Sequence, residues 1–136
     1  MKYRLTLSEK QMQILQLALE EYFRIRLNQW SELADDLAFT GLDYKNHTKE
    51  EFEARIERRD NAENLFKKAM SEAQPDFYKQ KQTEENLIAQ DIWEVIRHQL
   101  YLDQDEKKDD WCVAARPPMQ RSEEELPGIE KCQKGL

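Results

Sequence analysis

Acid–base or nucleophilic catalysis needs a histidine, an activated thiol or hydroxyl, or paired carboxylates. This 136-residue sequence has two histidines, His47 and His98, and neither lies in a nucleophile signature. Its two cysteines, Cys112 and Cys132, have no CxxC or Cys/His ligand spacing and read as free reduced thiols. The three glycines, Gly41, Gly128 and Gly135, are isolated, so no phosphate-cradling loop is present. Asp103-Gln104-Asp105 starts like a calcium loop but lacks the glycine at the sixth position and the terminal Glu, and reads as a solvated turn. Two carboxylate pairs remain, Glu32 with Asp35 and Glu57 with Asp60. Each pair is spaced to project from one helix face, and facing pairs could hold Mg²⁺ through hard oxygen ligands.

Glu32-Leu33-Ala34-Asp35-Asp36-Leu37 resembles the E-x-x-D segment of the all-α nucleoside triphosphate pyrophosphohydrolases. The resemblance implies Mg²⁺-dependent cleavage of a nucleoside triphosphate. That family also carries an E-x-x-E pair on the preceding helical stretch, whereas here Glu20 and Glu21 are followed by Phe23 and Arg24. With 28 acidic residues in the chain, such spacings also arise by chance on solvated helix faces, which is the favoured reading.

A different constellation follows Thr83. Trp93, Arg97 and Tyr101 succeed one another at i, i+4 and i+8 on a flank away from Ile92 and Val95, and Gln90 and Glu94 share that flank. An aromatic ring supplies a stacking face, Arg97 can pair with phosphate and Gln90 can read a base edge, while Arg116 on the following arm could close over the site. The structural alternative is that Trp93 and Tyr101 pack beneath another helix with Arg97 lying over them. His98 falls beside Glu94, where an ion pair or a plain surface position is expected rather than metal ligation. No cofactor and no metal ligand set is expected.

Three amphipathic helices must position these residues. The first starts at a capping box, Ser8 with Gln11, with Leu7 placed to staple onto Met12. Its stripe of Met12, Leu15, Leu19, Tyr22 and Phe23, widened by Ile14, Ala18 and Ile25, continues through Trp30, Leu33 and Leu37 to a stop at Gly41. This predicts one long element from Glu9 to about Phe39, with Asn28 to Ser31 as the place where it could break. Thr48 and Glu51 form a second capping box opening a helix that ends before Pro75, with a core face of Phe52, Ile56, Leu65, Phe66, Ala69 and Met70. Its middle, Glu57 to Asn61, reads as a solvated face. Thr83 caps the third helix, whose apolar set is Ile88, Ile92, Val95, Ile96 and Leu100. Asp103 to Asp110 is a charged turn, and Trp111-Cys112-Val113-Ala114 reads as a short strand or extended arm. Beyond Arg116, Pro117-Pro118 and Pro127-Gly128 forbid regular helix.

The expectation is therefore a mainly α protein: three amphipathic helices in a bundle, one helical domain over 1–116, and an extended, partly disordered tail over 117–136. A net charge of -7 argues against nucleic acid and anionic membranes as partners. No apolar run reaches a membrane span and no signal peptide is evident, so a cytoplasmic protein is expected. Trp30, Trp93 and Trp111 are a surplus of large side chains for one small core, which suggests interface anchors and a homo-oligomer.

The Met-Lys-Tyr-Arg-Leu-Thr-Leu start, the Gln90 to Arg97 segment and the arm ending Arg116-Pro117-Pro118 resemble small uncharacterised proteins of tailed bacteriophages and prophages. The resemblance implies an accessory protein acting in the host cytoplasm. A common role of such proteins is countering host defence, by sequestering a nucleotide-derived immune signal or by binding a host defence protein. The expected function is capture of a small nucleotide-like ligand through Trp93, Arg97, Tyr101, Gln90 and Arg116, without catalysis. A helical protein–protein inhibitor and a Mg²⁺-dependent pyrophosphohydrolase are the alternatives.

Overall fold

The computed structural model describes residues 1–76, 82–104 and 111–132. The chain is mainly helical, with α1 over Glu9–Arg26, α2 over Trp30–Phe39, α3 over Lys49–Ala73 and α4 over Glu84–Leu102. Among the described residues four α-helices replace the three expected, because the long first element is two. Asn28 adopts a left-handed φ of 60°, which Asn tolerates better than most residues. The Asn28 N–H then closes on Ile25 O at 3.2 Å and the Gln29 N–H on Arg24 O at 2.9 Å, satisfying the last carbonyls of α1. Trp30 Nε1 donates to the Asn28 side chain and anchors the restart.

The three expected helix starts are present. Gln11 N–H donates to Ser8 Oγ at 3.3 Å, and Ser8 N–H donates to Gln11 Oε1 at 2.8 Å, a reciprocal capping box. Thr48 Oγ1 accepts from Glu51 N–H at 3.1 Å and Thr83 Oγ1 from Asn86 N–H at 3.3 Å. The Glu51 carboxylate turns to Arg55 instead of completing its box. Gly41 takes φ 74° just beyond α2, the conformation that favours glycine and ends the helix.

The chain divides into two compact units. One comprises Met1–Phe23 and Thr83–Leu136, the other Arg24–Gln82. In the second, α2 and α3 pack antiparallel: Trp30 meets Phe66 with ring centroids 5.8 Å apart, and Phe39 meets Phe52 at 5.6 Å. Ala34, fully buried, lets the helices approach. Arg59 Nε binds Asp35 at 2.7 Å while its Nη1 reaches Asp60 at 2.8 Å and Glu63 at 3.2 Å. Hydrogen bonds that the guanidinium donates to Asp60 and Asp35 hold it protonated beyond even its usual range. The expected core face of α3 is only partly a core: Phe52, Phe66 and Met70 are half-buried, but Leu65 is 67% exposed and no α3 residue is buried. Among the described residues of this unit α2 covers one side of α3, so the apolar stripe of α3 is wider than the surface it packs against there.

In the first unit α4 is the central element. Asn86, Ala89, Asp91, Glu94, Val95, Ile96 and Tyr101 are all buried, and they lie at angles nearly all round the helix. Trp111 to Ala114 forms no strand, and there is no strand among the described residues. Val113–Ala115 is instead a single 3₁₀ turn, closed by Ala115 N–H on Cys112 O at 3.1 Å. No neighbouring strand offers a ladder, so the carbonyls are satisfied locally. The charged turn beginning at Asp103 lies outside the described residues from 105 onward.

Candidate functional site

Two faces of α4 carry polar side chains into the interior, and they differ in whether those side chains are satisfied. The first carries Glu84, Asp91, Glu94 and His98, spaced by seven, three and four residues and so on one side of the helix. Along it runs the segment 114–123, antiparallel to α4. His98 Nδ1 donates to Ala114 O at 2.9 Å, and Glu94 Oε2 accepts from Met119 N–H at 2.9 Å. Asp91 accepts from Arg121 N–H at 2.9 Å, Ser122 N–H at 2.9 Å and Ser122 Oγ at 2.6 Å. Glu84 Oε1 accepts from Glu123 N–H at 2.6 Å. Prolines and acidic residues keep this arm from satisfying its own backbone as a helix, so the carboxylates of α4 do it instead. Beyond Gly128 the chain reaches the other end of α4, where Lys131 Nζ meets Asp103 at 2.7 Å. His98 is thus half-buried and bonded to the arm, not paired with Glu94 as expected. Its ring stacks on Tyr101 with centroids 6.4 Å apart.

The second face holds Gln90, Trp93 and Arg97, three of the residues expected to bind a ligand. Trp93 and Arg97 are brought together: the guanidinium carbon lies 4.1 Å from the centre of the indole, a cation–π contact. Phe23 of α1 meets the same indole edge-on at 5.2 Å. One face of the expected stacking platform is therefore covered by Arg97 itself. Burial lowers the Arg97 pKa, opposed by Glu94, whose Oε1 is 4.0 Å away, and by Glu20. Glu94 spends its shorter contact on Arg121, at 2.7 Å. Gln90 donates its amide to Asn86 O on its own helix at 3.3 Å. Tyr101 is buried. Arg116 is exposed, directly after the 3₁₀ turn.

Sequence reasoning missed Asn86. It is 1% exposed, and neither its side-chain oxygen nor its nitrogen has a hydrogen-bond partner. Trp93 Nε1 and Arg97 Nε are likewise buried without one. Asn86, Gln90, Trp93 and Arg97 lie at i, i+4, i+7 and i+11, one stripe of α4. The signal was legible as an amide in register with Trp93, but an Asn three residues into a helix reads as a surface residue of the first turn.

In the other unit Asp35 and Asp60, one from each carboxylate pair, both bind Arg59. Among the described residues no group of three or more His, Cys, Asp or Glu side chains is placed to hold a metal ion. Cys112 and Cys132 are free thiols. No described helix is long and apolar enough to cross a membrane. No protein-family model, curated protein or solved structure matches this chain.

Proposed function

We propose that this chain is a non-enzymatic binding protein that captures a small nucleotide-like ligand on the Asn86–Trp93–Arg97 stripe of α4. The observation that carries the reading is the set of buried, unpartnered polar atoms along that stripe: the Asn86 amide, Trp93 Nε1 and Arg97 Nε. Each such group costs about 1–3 kcal/mol when left unsatisfied, a cost a partner supplied from outside would remove. An amide offers the paired donor and acceptor that match a base edge, and a guanidinium is suited to phosphate. Asn86 and Trp93 are seven residues apart, about 10 Å along the axis, and the Arg97 guanidinium lies over the indole. That separation suits a base at one end and a phosphate at the other. Because these atoms are shielded from solvent, capture requires a local opening over α4, and slow association is expected.

By the likeness to tailed-phage accessory proteins, the biological role is sequestration of a nucleotide-derived immune signal in the host. Titration calorimetry of the whole chain against mononucleotides and cyclic nucleotides tests the reading. Saturable heat that Arg97→Ala abolishes and Trp93→Phe weakens is the expected result. No heat with any of them, or binding untouched by Arg97→Ala, rules it out.

A second reading, a helical inhibitor of a host defence protein or a self-associating chain, is favoured by one observation. Ile14 and Leu17 on α1 are 66% and 55% exposed, and Ile14 belongs to the stripe expected to be core. Native mass spectrometry reporting a monomer, with α1 surface variants leaving every pull-down unchanged, removes it.

A further inference from the structure

α1 has two apolar sides. Leu15, Leu19, Tyr22 and Phe23 lie on one, half-buried or buried, and Phe23 meets the Trp93 indole edge-on at 5.2 Å. On the opposite side run Lys10, Ile14, Leu17 and Glu21, all exposed, with Ile14 at 66% and Leu17 at 55%. The helix therefore turns one apolar side into its own unit and leaves the other uncovered.

The four exposed residues follow one another at steps of four, three and four, the spacing of the seam between two helices packed side by side. The order of their types selects the partner. Two apolar residues stand at the middle, with a cation one turn toward the N-terminus and an anion one turn toward the C-terminus. Positions 14 and 17, and likewise 10 and 21, are symmetric about one point, midway between residues 15 and 16. A second copy of α1 laid antiparallel across that point brings each Ile14 against Leu17 of the other copy and each Lys10 against Glu21. Laid parallel, the same stripe sets Lys10 against Lys10 and Glu21 against Glu21. Opposite charges favour the first orientation and like charges disfavour the second.

The seam is thus self-complementary in the way a two-fold interface requires, each contact being returned by its counterpart. Ala18 at its edge is exposed and small, so it adds no bulk between the helices. Among the described residues neither the Lys10 nor the Glu21 side chain has an ion-pair partner within the chain, so both charges can meet one from outside. From Lys10 to Glu21 the seam runs about 16 Å along the axis, and two apolar layers over that length make a weak, reversible contact.

We propose that α1 pairs antiparallel with α1 of a second copy about a two-fold axis between residues 15 and 16, with Ile14 and Leu17 at the centre and a Lys10–Glu21 ion pair at each end. This pairing rests on the self-association that the exposed Ile14 and Leu17 favour, and adds to it an orientation and a register.

Sedimentation equilibrium of the intact chain from micromolar to millimolar concentration tests it, in about 0.15 M salt, where the repulsion between net charges of -7 is screened beyond about 8 Å. A reversible monomer–dimer equilibrium is expected. Leu17→Asp, at an exposed position, should abolish the dimer. Lys10→Glu turns both end pairs from attractive to repulsive and should weaken dimerisation roughly four- to thirtyfold, as should Glu21→Lys. Combined in one chain, the two substitutions restore opposite charges at both ends and should restore the dimer, which a misfolded variant could not do. A chain that is monomeric at every concentration overturns the proposal together with self-association and leaves this face to a different protein. A dimer that Lys10→Glu leaves unchanged, as a parallel pair would be, or that the double exchange fails to restore, overturns the pairing and leaves self-association standing.

Discussion

The α4 unit and the α2–α3 unit are made from the same amino-acid types and treat their charges in opposite ways. Around α4, carboxylates and amides are buried: Asp91 is 2% exposed and Asn86 1%. Across α2 and α3, the ion pairs around Arg59 stay within reach of water, and no residue of α3 is buried. Buried polar groups are costly unless every donor and acceptor is matched, and a broken match costs far more than a lost surface pair. The first unit should therefore be the sensitive one, and the place where an unmatched group carries meaning.

The largest expected effect is Asp91→Ala. It removes the acceptor of three hydrogen bonds from Arg121 and Ser122 and should lower stability by about 3 kcal/mol, read by denaturant unfolding. It should also make the segment 117–132 readily cleaved in limited proteolysis. An arm as resistant as the parent's would mean that the carboxylate is not what holds it.

Next comes a gain. Asn86→Leu removes a buried amide without partners at similar volume and should raise stability by about 1–2 kcal/mol while abolishing any nucleotide binding. Loss of stability would show that Asn86 is satisfied after all and would remove the main support for the α4 stripe as a ligand site. A stabilised, inactive variant is the trade-off expected of a functional residue.

In the other unit, Arg59→Ala breaks contacts to Asp35, Asp60 and Glu63 together, yet its unfolding curve should overlay the parent's. A resolved destabilisation would erase the contrast between the two units.

The smallest effect is in the 43–47 loop. Hydrogen bonds from the Asn46 side chain and the Lys45 N–H hold the Asp43 carboxyl below its ordinary value of 3.8. The folded pKa is the lower one, so the contribution is complete above pH 3.8 and disappears as pH falls through the folded value. The Lys45 and Asn46 amide resonances should move toward unstructured positions in that acid range and stay constant above it. Movement centred above pH 3.8 would contradict the assignment.

Much of the local structure was legible in the residues. Ser8, Thr48 and Thr83 mark three helix starts and Gly41 a stop, because capping is a contact between neighbours in sequence. The fourth helix was half-legible: Asn28 to Ser31 stood out as a possible break, but the left-handed Asn28 that realises it is one conformation among several open to Asn. The Trp93–Arg97 pair was foreseen from i, i+4 spacing, and that spacing also brought the guanidinium onto the ring it was meant to leave free.

What the sequence by itself determined was helical content, three of the helix starts and the faces on which side chains sit, all set within a few residues by backbone geometry. Only the tertiary structure decided that the proline-broken arm lies along α4, that Glu84, Asp91 and Glu94 satisfy its backbone, and that Asn86 is sealed without a partner. These relations join residues some 25 to 39 positions apart, and no local pattern encodes which distant N–H a carboxylate will meet. Burial decides them: once α4 becomes the centre of its unit, each polar group on it must find a partner in the chain or bear the cost of having none.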